Sequence, residues 1–203
     1  MGCTSLALNS ALSITKSQKR TVLYFSYDSA KEMLMKKMLC IEGLVDTRRI
    51  WDQEFTDADW VRLTTAGKLI KTLPLHIYDD PLLTFREIKQ TCAQYKYIDL
   101  VIIDSLQTIQ AIPGEQGTPK RTKKENRILQ QLSIWAKAKS ISILCLNTLE
   151  RDVEMRVCKE PDVSDIQKYR NSFKCIDTAL FLYHEDFSKS NHRKNFLLTV
   201  MFA

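Results

Sequence analysis

Ile98-Asp99-Leu100-Val101-Ile102-Ile103-Asp104 is the stretch that decides the fold. Leu100 to Ile103 present no polar face, so the strand they form is buried on both sides, unlike the half-solvated strands of most antiparallel sheets. The run closes on a carboxylate, Asp104, and leads into Ser105-Leu106-Gln107. Runs of the same kind lie on either side. Thr21-Val22-Leu23-Tyr24-Phe25-Ser26 precedes it, residues 141–146 and 178–183 follow, Leu75–Tyr78 is shorter, and 196–201 forms one more strand.

Helical patterning separates these strands. It covers 5–14, a segment from a Ser29 cap to about Cys40, a helix opened by Thr56-Asp57-Ala58-Asp59, then 84–95 and 125–139. In the Thr56 helix the apolar positions are Trp60, Leu63, Ala66, Leu69 and Ile70. Residues 16–20 read as a polar turn, and 111–124 as a long loop carrying Lys120, Arg121, Lys123 and Lys124. Alternation of apolar strands with helices predicts an α/β fold, a mostly parallel sheet with helices on both faces.

A chain of 203 residues suits one domain, spanning 1–203. No run approaches the roughly 18 apolar residues of a membrane span, and no secretory leader is evident, so a cytoplasmic protein without a membrane partner is expected. Six cysteines (3, 40, 92, 145, 158, 175) form no C-x-x-C pair and three histidines (76, 184, 192) are scattered, which predicts free thiols and no zinc. The net charge of +6 permits an anionic partner such as nucleic acid, and equally suits a mildly basic soluble protein.

Open parallel sheets bind ligands at the carboxyl ends of their strands. Ser26, Asp28, Asp104, Ser105, Gln107, Asn147 and Thr148 fall there. A carboxylate directly after a buried strand either orders the water shell of Mg²⁺ beside a nucleotide or caps the next turn. Gly2-Cys3-Thr4 has the outline of the end of a phosphate-binding loop, which closes Gly-Lys-Ser/Thr before a helix. Cys3 stands at the lysine position, and no glycine-rich loop or strand precedes it in this sequence.

The order of motifs resembles the C-terminal RecA-like ATPase domain of DnaB-type replicative DNA helicases. Thr4-Ser5-Leu6-Ala7-Leu8-Asn9 is similar to the family's helix after the P-loop, and Phe25-Ser26-Tyr27-Asp28-Ser29-Ala30 to its F-S-L-E-M-S segment. Phe55-Thr56-Asp57-Ala58-Asp59-Trp60 resembles L-T-D-E-D-W; PLHIYDDPLLTFRE (74–87) and LVIIDSLQTIQ (100–110) resemble the stretches up to and including Walker B. LERDVEMR (149–156), Ser164-Asp165-Ile166 and 177–183 continue the likeness in family order.

The resemblance implies a P-loop NTPase core with ATP and Mg²⁺ as cofactors and a role in DNA replication. Carried over by position, Gly2, Cys3, Thr4, Gln107, Thr148 and Arg151 belong to nucleotide binding, Thr4 and Asp104 to Mg²⁺, and Asp28 and Asp104 to catalysis. Asp28 stands where the family has its catalytic glutamate, and Thr148 where a glutamine reads the γ-phosphate. Lys168 and Arg170 fall on the DNA-contacting loop, and Lys120, Arg121, Lys123 and Lys124 on a channel-facing one. Implied partners are single-stranded DNA and further helicase subunits, including copies of this chain. The substitutions point to an ATPase that is impaired or inactive; a non-catalytic helicase-like partner or a single-stranded DNA-binding protein is the alternative. The family's P-loop strand would lie between 141–146 and 178–183, so both strands are expected to show open edges and the isolated chain to be poorly stable or self-associating.

Overall fold

In the computed structural model, the apolar runs around Tyr24 and Ile102 become neighbouring strands with every residue buried. The described residues are 2–52, 54–110, 121–148, 165, 174–184 and 196–202. They fall into two compact units: Thr4–Pro113 with Ile141–Leu146, and Met1–Cys3 with Gly114–Ser140 and Asn147–Ala203.

The first unit holds α1 (Cys3–Gln18), β1 (Val22–Ser26), α2 (Lys31–Gly43), α3 (Thr47–Trp51), α4 (Asp57–Ile70), β2 (Leu75–Tyr78), α5 (Phe85–Cys92) and β3 (Leu100–Asp104). After α6 (Arg121–Lys139), which belongs to the other unit, comes β4 (Ser142–Cys145), again of the first. These strands form one parallel sheet in the order β2-β1-β3-β4. Its register sets Val22 beside Leu100 and Ser26 beside Asp104. The outer strands β2 and β4 are partly exposed, as edge positions dictate. Among the described residues β4 pairs with β3 alone. The second unit pairs β5 (Thr178–His184) with β6 (Phe196–Phe202), antiparallel, with Thr178 beside Phe202. The open edges expected at 141–146 and 178–183 are therefore present among the described residues.

Several local expectations are corrected. α1 continues through 16–18, where a polar turn was expected. Its last turn is held from outside by a Lys16–Glu42 ion pair at 2.7 Å, and the chain leaves it at Lys19 with φ of 50°. Ser29 does not cap α2. Ala30 is the N-cap, while the Ser29 N–H donates to Ser26 Oγ and the Ser26 hydroxyl donates to the Ser29 carbonyl, so Ser29 closes a turn instead. The five-residue α3 is too short to leave an apolar period in the sequence.

Trp60 is 65% exposed rather than core, because the stripe of α4 that faces inward is Asp59, Leu63, Ala66 and Ile70. Helix α6 begins at Arg121, so Arg121, Lys123 and Lys124 stand on its first turn and not in a loop. No proline or glycine occurs from 121 to 139, and nothing breaks the helix there.

Candidate functional site

The parallel register brings the carboxyl ends of β1 and β3 together, and the polar residues there converge on Asp104. Its side chain closes β3 and the residue is 7% exposed. Thr4, on the first turn of α1, donates its hydroxyl to Asp104 Oδ2 at 2.9 Å. Tyr24, fully buried in the middle of β1, donates its phenol to the same oxygen at 2.7 Å. Burial first, then the charge and hydrogen bond of Asp104, hold the Tyr24 phenol far above its ordinary range, so it stays a proton donor at neutral pH. No lysine or arginine is paired with Asp104 among the described residues; their ion pairs are Lys16–Glu42, Arg20–Asp99, Arg48–Asp46 and Arg49–Asp59.

Asp28 is exposed on the turn that follows β1, two positions beyond the Ser26 that faces Asp104 in register. Its neighbour Tyr27 ties this turn down. The Tyr27 N–H donates to the Asp104 carbonyl at 2.8 Å and its phenol to the Leu83 carbonyl at 3.0 Å. Gln107 is half-buried in the turn after β3, which is held by Leu106 N–H to the Leu146 carbonyl at 2.9 Å and Thr108 Oγ1 to the Ser105 carbonyl at 2.8 Å.

Gly2 is exposed with φ of 104°, a left-handed conformation that suits glycine, and Cys3 opens α1 half-buried. Thr148 is exposed in the second unit. Lys123 is exposed and Lys124 half-buried on α6. Lys120, Arg151, Lys168, Arg170 and the Arg121 side chain lie outside the described residues.

The structure thus gathers Thr4 and Asp104, with Asp28 and Gln107 on turns tied to the same strand ends. It adds Tyr24, which reads in the sequence only as part of an apolar run. A tyrosine inside a fully buried strand must place its hydroxyl on an acceptor, and that rule is the signal that could have found it.

The family model of the DnaB-like helicase C-terminal domain matches residues 1–201. The chain belongs to this family. It is 29% identical over 199 residues to a probable replicative DNA helicase of Trieres chinensis, covering 96% of this chain and 43% of the relative. With the replicative DNA helicase DnaC of Bacillus subtilis it shares 29% over 201 residues, covering 97% and 44%. The chain therefore spans less than half the length of these curated relatives. Among solved structures it superposes on a DnaB-like replicative helicase described with its interactions with primase, with a TM-score of 0.84 at 22% identity, over 98% of this chain and 52% of that one. A second solved structure, an isolated ATPase domain, gives 0.80 at 22% identity, over 97% and 76%. The RecA-like α/β core of the DnaB-like domains is the fold of this chain. Among the described residues no helix is long and apolar enough to cross a membrane.

The geometry suits the Mg²⁺ that a P-loop core employs. A hydroxyl and a carboxylate oxygen sit 2.9 Å apart, and the buried carboxylate has hydroxyl partners but no basic one among the described residues. Buried charges are ordinarily paired or bound to a metal, so this arrangement suits a cation. Thr4 and Asp104 are the residues that would hold it.

Proposed function

We propose that the chain is a RecA-like helicase domain, single over residues 1–203, that binds Mg²⁺-ATP at the carboxyl ends of β1 and β3 and hydrolyses it poorly. The observation that carries this reading is the pair of hydroxyl bonds onto Asp104 with no basic partner among the described residues. In such a site the cation neutralises phosphate charge as it develops. Thr4 and Asp104 orient it, the N-terminal turn of α1 directs its free N–H groups to the phosphates, and Asp28 accepts a proton from the attacking water.

Two residues weaken that chemistry. Cys3 offers a thiol where the family has an ammonium, so no side-chain charge from that position follows the β/γ-phosphates. Asp28 is one methylene shorter than the glutamate it replaces, and a displacement of roughly 1 Å can cost about 100-fold in rate. The domain works within a replicative helicase assembly, with copies of itself or with a fully active subunit, and single-stranded DNA passes its basic residues. Lys120, Arg121, Lys123, Lys124, Lys168 and Arg170 are the residues proposed to face that strand. Cys3 favours a second reading, a non-catalytic helicase-like partner that keeps the fold and the DNA contacts without using ATP.

Equilibrium binding of a fluorescent ATP analogue to the purified chain, with and without Mg²⁺, decides between them. Mg²⁺-dependent binding is expected, and Cys3→Lys should tighten it about tenfold, the worth of one charge-assisted contact. Failure of both proteins to bind in a Mg²⁺-dependent manner would overturn the nucleotide site and leave the second reading.

A further inference from the structure

Tyr24 has the most constrained hydroxyl near the proposed site. It sits on β1 between two hydrogen-bonded neighbours, opposite Ile77 on one side and Ile102 on the other, and none of its surface is exposed. A carboxylate at a strand end turns freely about its last torsion, which is broad and roughly two-fold. Thr4 alone would restrain Asp104 from a helix terminus. The phenol approaches Oδ2 from the sheet, so two donors carried by different elements converge on one oxygen, at 2.9 and 2.7 Å. Neither of these bonds uses Oδ1.

We propose that Tyr24 is a positioning residue for the divalent cation of the nucleotide site. By fixing Oδ2 from the sheet it holds the Asp104 carboxylate in one orientation, with Oδ1 left to the cation and its water shell. The inference rests on the nucleotide-site reading above. Donors behind a metal-organising carboxylate are not interchangeable with apolar atoms, and their loss ordinarily costs about 10–100-fold in metal affinity. The buried phenol also keeps its proton at every pH at which the fold persists, so the restraint does not fade in the physiological range.

The test is a Mg²⁺ titration of the purified chain in the presence of a fluorescent ATP analogue, comparing wild type, Tyr24→Phe and Tyr78→Phe. Tyr78 supplies the control because its hydroxyl pairs with that of Tyr95 at 2.6 Å on β2 and not with Asp104. Tyr24→Phe should raise the half-saturating Mg²⁺ concentration about tenfold, leaving Mg²⁺-free nucleotide affinity within about twofold; Tyr78→Phe should move neither. Circular dichroism verifies that each variant is folded, and Tyr24→Met provides the same hydroxyl deletion should the phenylalanine variant fail to fold. An unmoved midpoint in a folded Tyr24 variant, or an equal shift in Tyr78→Phe, would overturn the positioning role and leave the nucleotide site standing. Absence of Mg²⁺-dependent binding in the wild type would overturn both.

Discussion

Asp104 and Asp59 are both buried carboxylates, 7% and 4% exposed, and their surroundings answer the charge in opposite ways. Asp59 lies in the first turn of α4. Its Oδ2 accepts from the Thr56 hydroxyl at 2.8 Å, the Thr56 N–H at 3.2 Å and the Arg49 guanidinium at 2.7 Å, while the Asp59 N–H donates back to Thr56 Oγ1. Backbone, hydroxyl and cation all come from the chain itself, and the charge sits at a helix N-terminus that favours it. Asp104 receives two hydroxyls and, among the described residues, no cation. Similar burial with unlike compensation separates a carboxylate that builds the fold from one that awaits a ligand.

Neutral isosteres break the comparison most directly, and the largest effect is expected at Asp104. Asp104→Asn keeps a carbonyl oxygen for Thr4 and Tyr24 but removes the charge. It should retain a melting temperature near that of the wild type, while the half-saturating Mg²⁺ for nucleotide binding rises by about 10–100-fold or more. Asp59→Asn should do the reverse, lowering the melting temperature with the Mg²⁺ midpoint unmoved. Thermal melts and Mg²⁺ titrations on the same two proteins read both arms, and matching behaviour of the two variants would dissolve the distinction. Thr56→Ala is a smaller perturbation of the structural carboxylate alone. It should cost about 1 kcal/mol in urea denaturation, the usual worth of an N-cap hydroxyl, again without touching nucleotide binding.

The structural carboxylate was the more legible of the two. Thr56-x-x-Asp59 before an apolar period announces a helix start from local chemistry, and the same holds for Thr84-x-x-Glu87, whose capping box is also formed. The central strands were legible for a similar reason, since Leu100–Asp104 and Val22–Ser26 are apolar with no alternation and could only be interior. The helix after the basic run was placed late, because Arg121, Lys123 and Lys124 carry no apolar period to announce its first turn. Tyr24 was unreadable as a site residue because its partner is 80 positions away in sequence. Only the parallel register of β1 and β3, itself a long-range pairing, brings phenol and carboxylate together. Thr4 and Asp104, 100 positions apart, could be linked in the sequence only through the family pattern.

Acid titration gives the subtlest separation of the compensated carboxylates from the rest. Hydrogen bonds from the Thr56 hydroxyl and N–H, then from Arg49, hold Asp59 below its ordinary 3.8. The Thr84 N–H and hydroxyl hold Glu87 below its ordinary 4.5. A depressed folded-state pKa means that the unfolded chain takes up its proton first. The stability contributed by each group is therefore complete above its ordinary value and is lost as pH falls through the folded one. Melting temperature should begin to fall below pH 4.5 for Glu87 and below 3.8 for Asp59, on top of the losses from other carboxylates. Replacing Thr56 and Thr84 together by alanine removes the donors that cause the depression, so the double variant should be less stable at neutral pH yet show a shallower acid limb. Melts from pH 6 to about 3 measure that slope. Parallel limbs in the two proteins would mean that the caps stabilise through the backbone alone, and that the carboxylate of Asp59 is answered chiefly by Arg49.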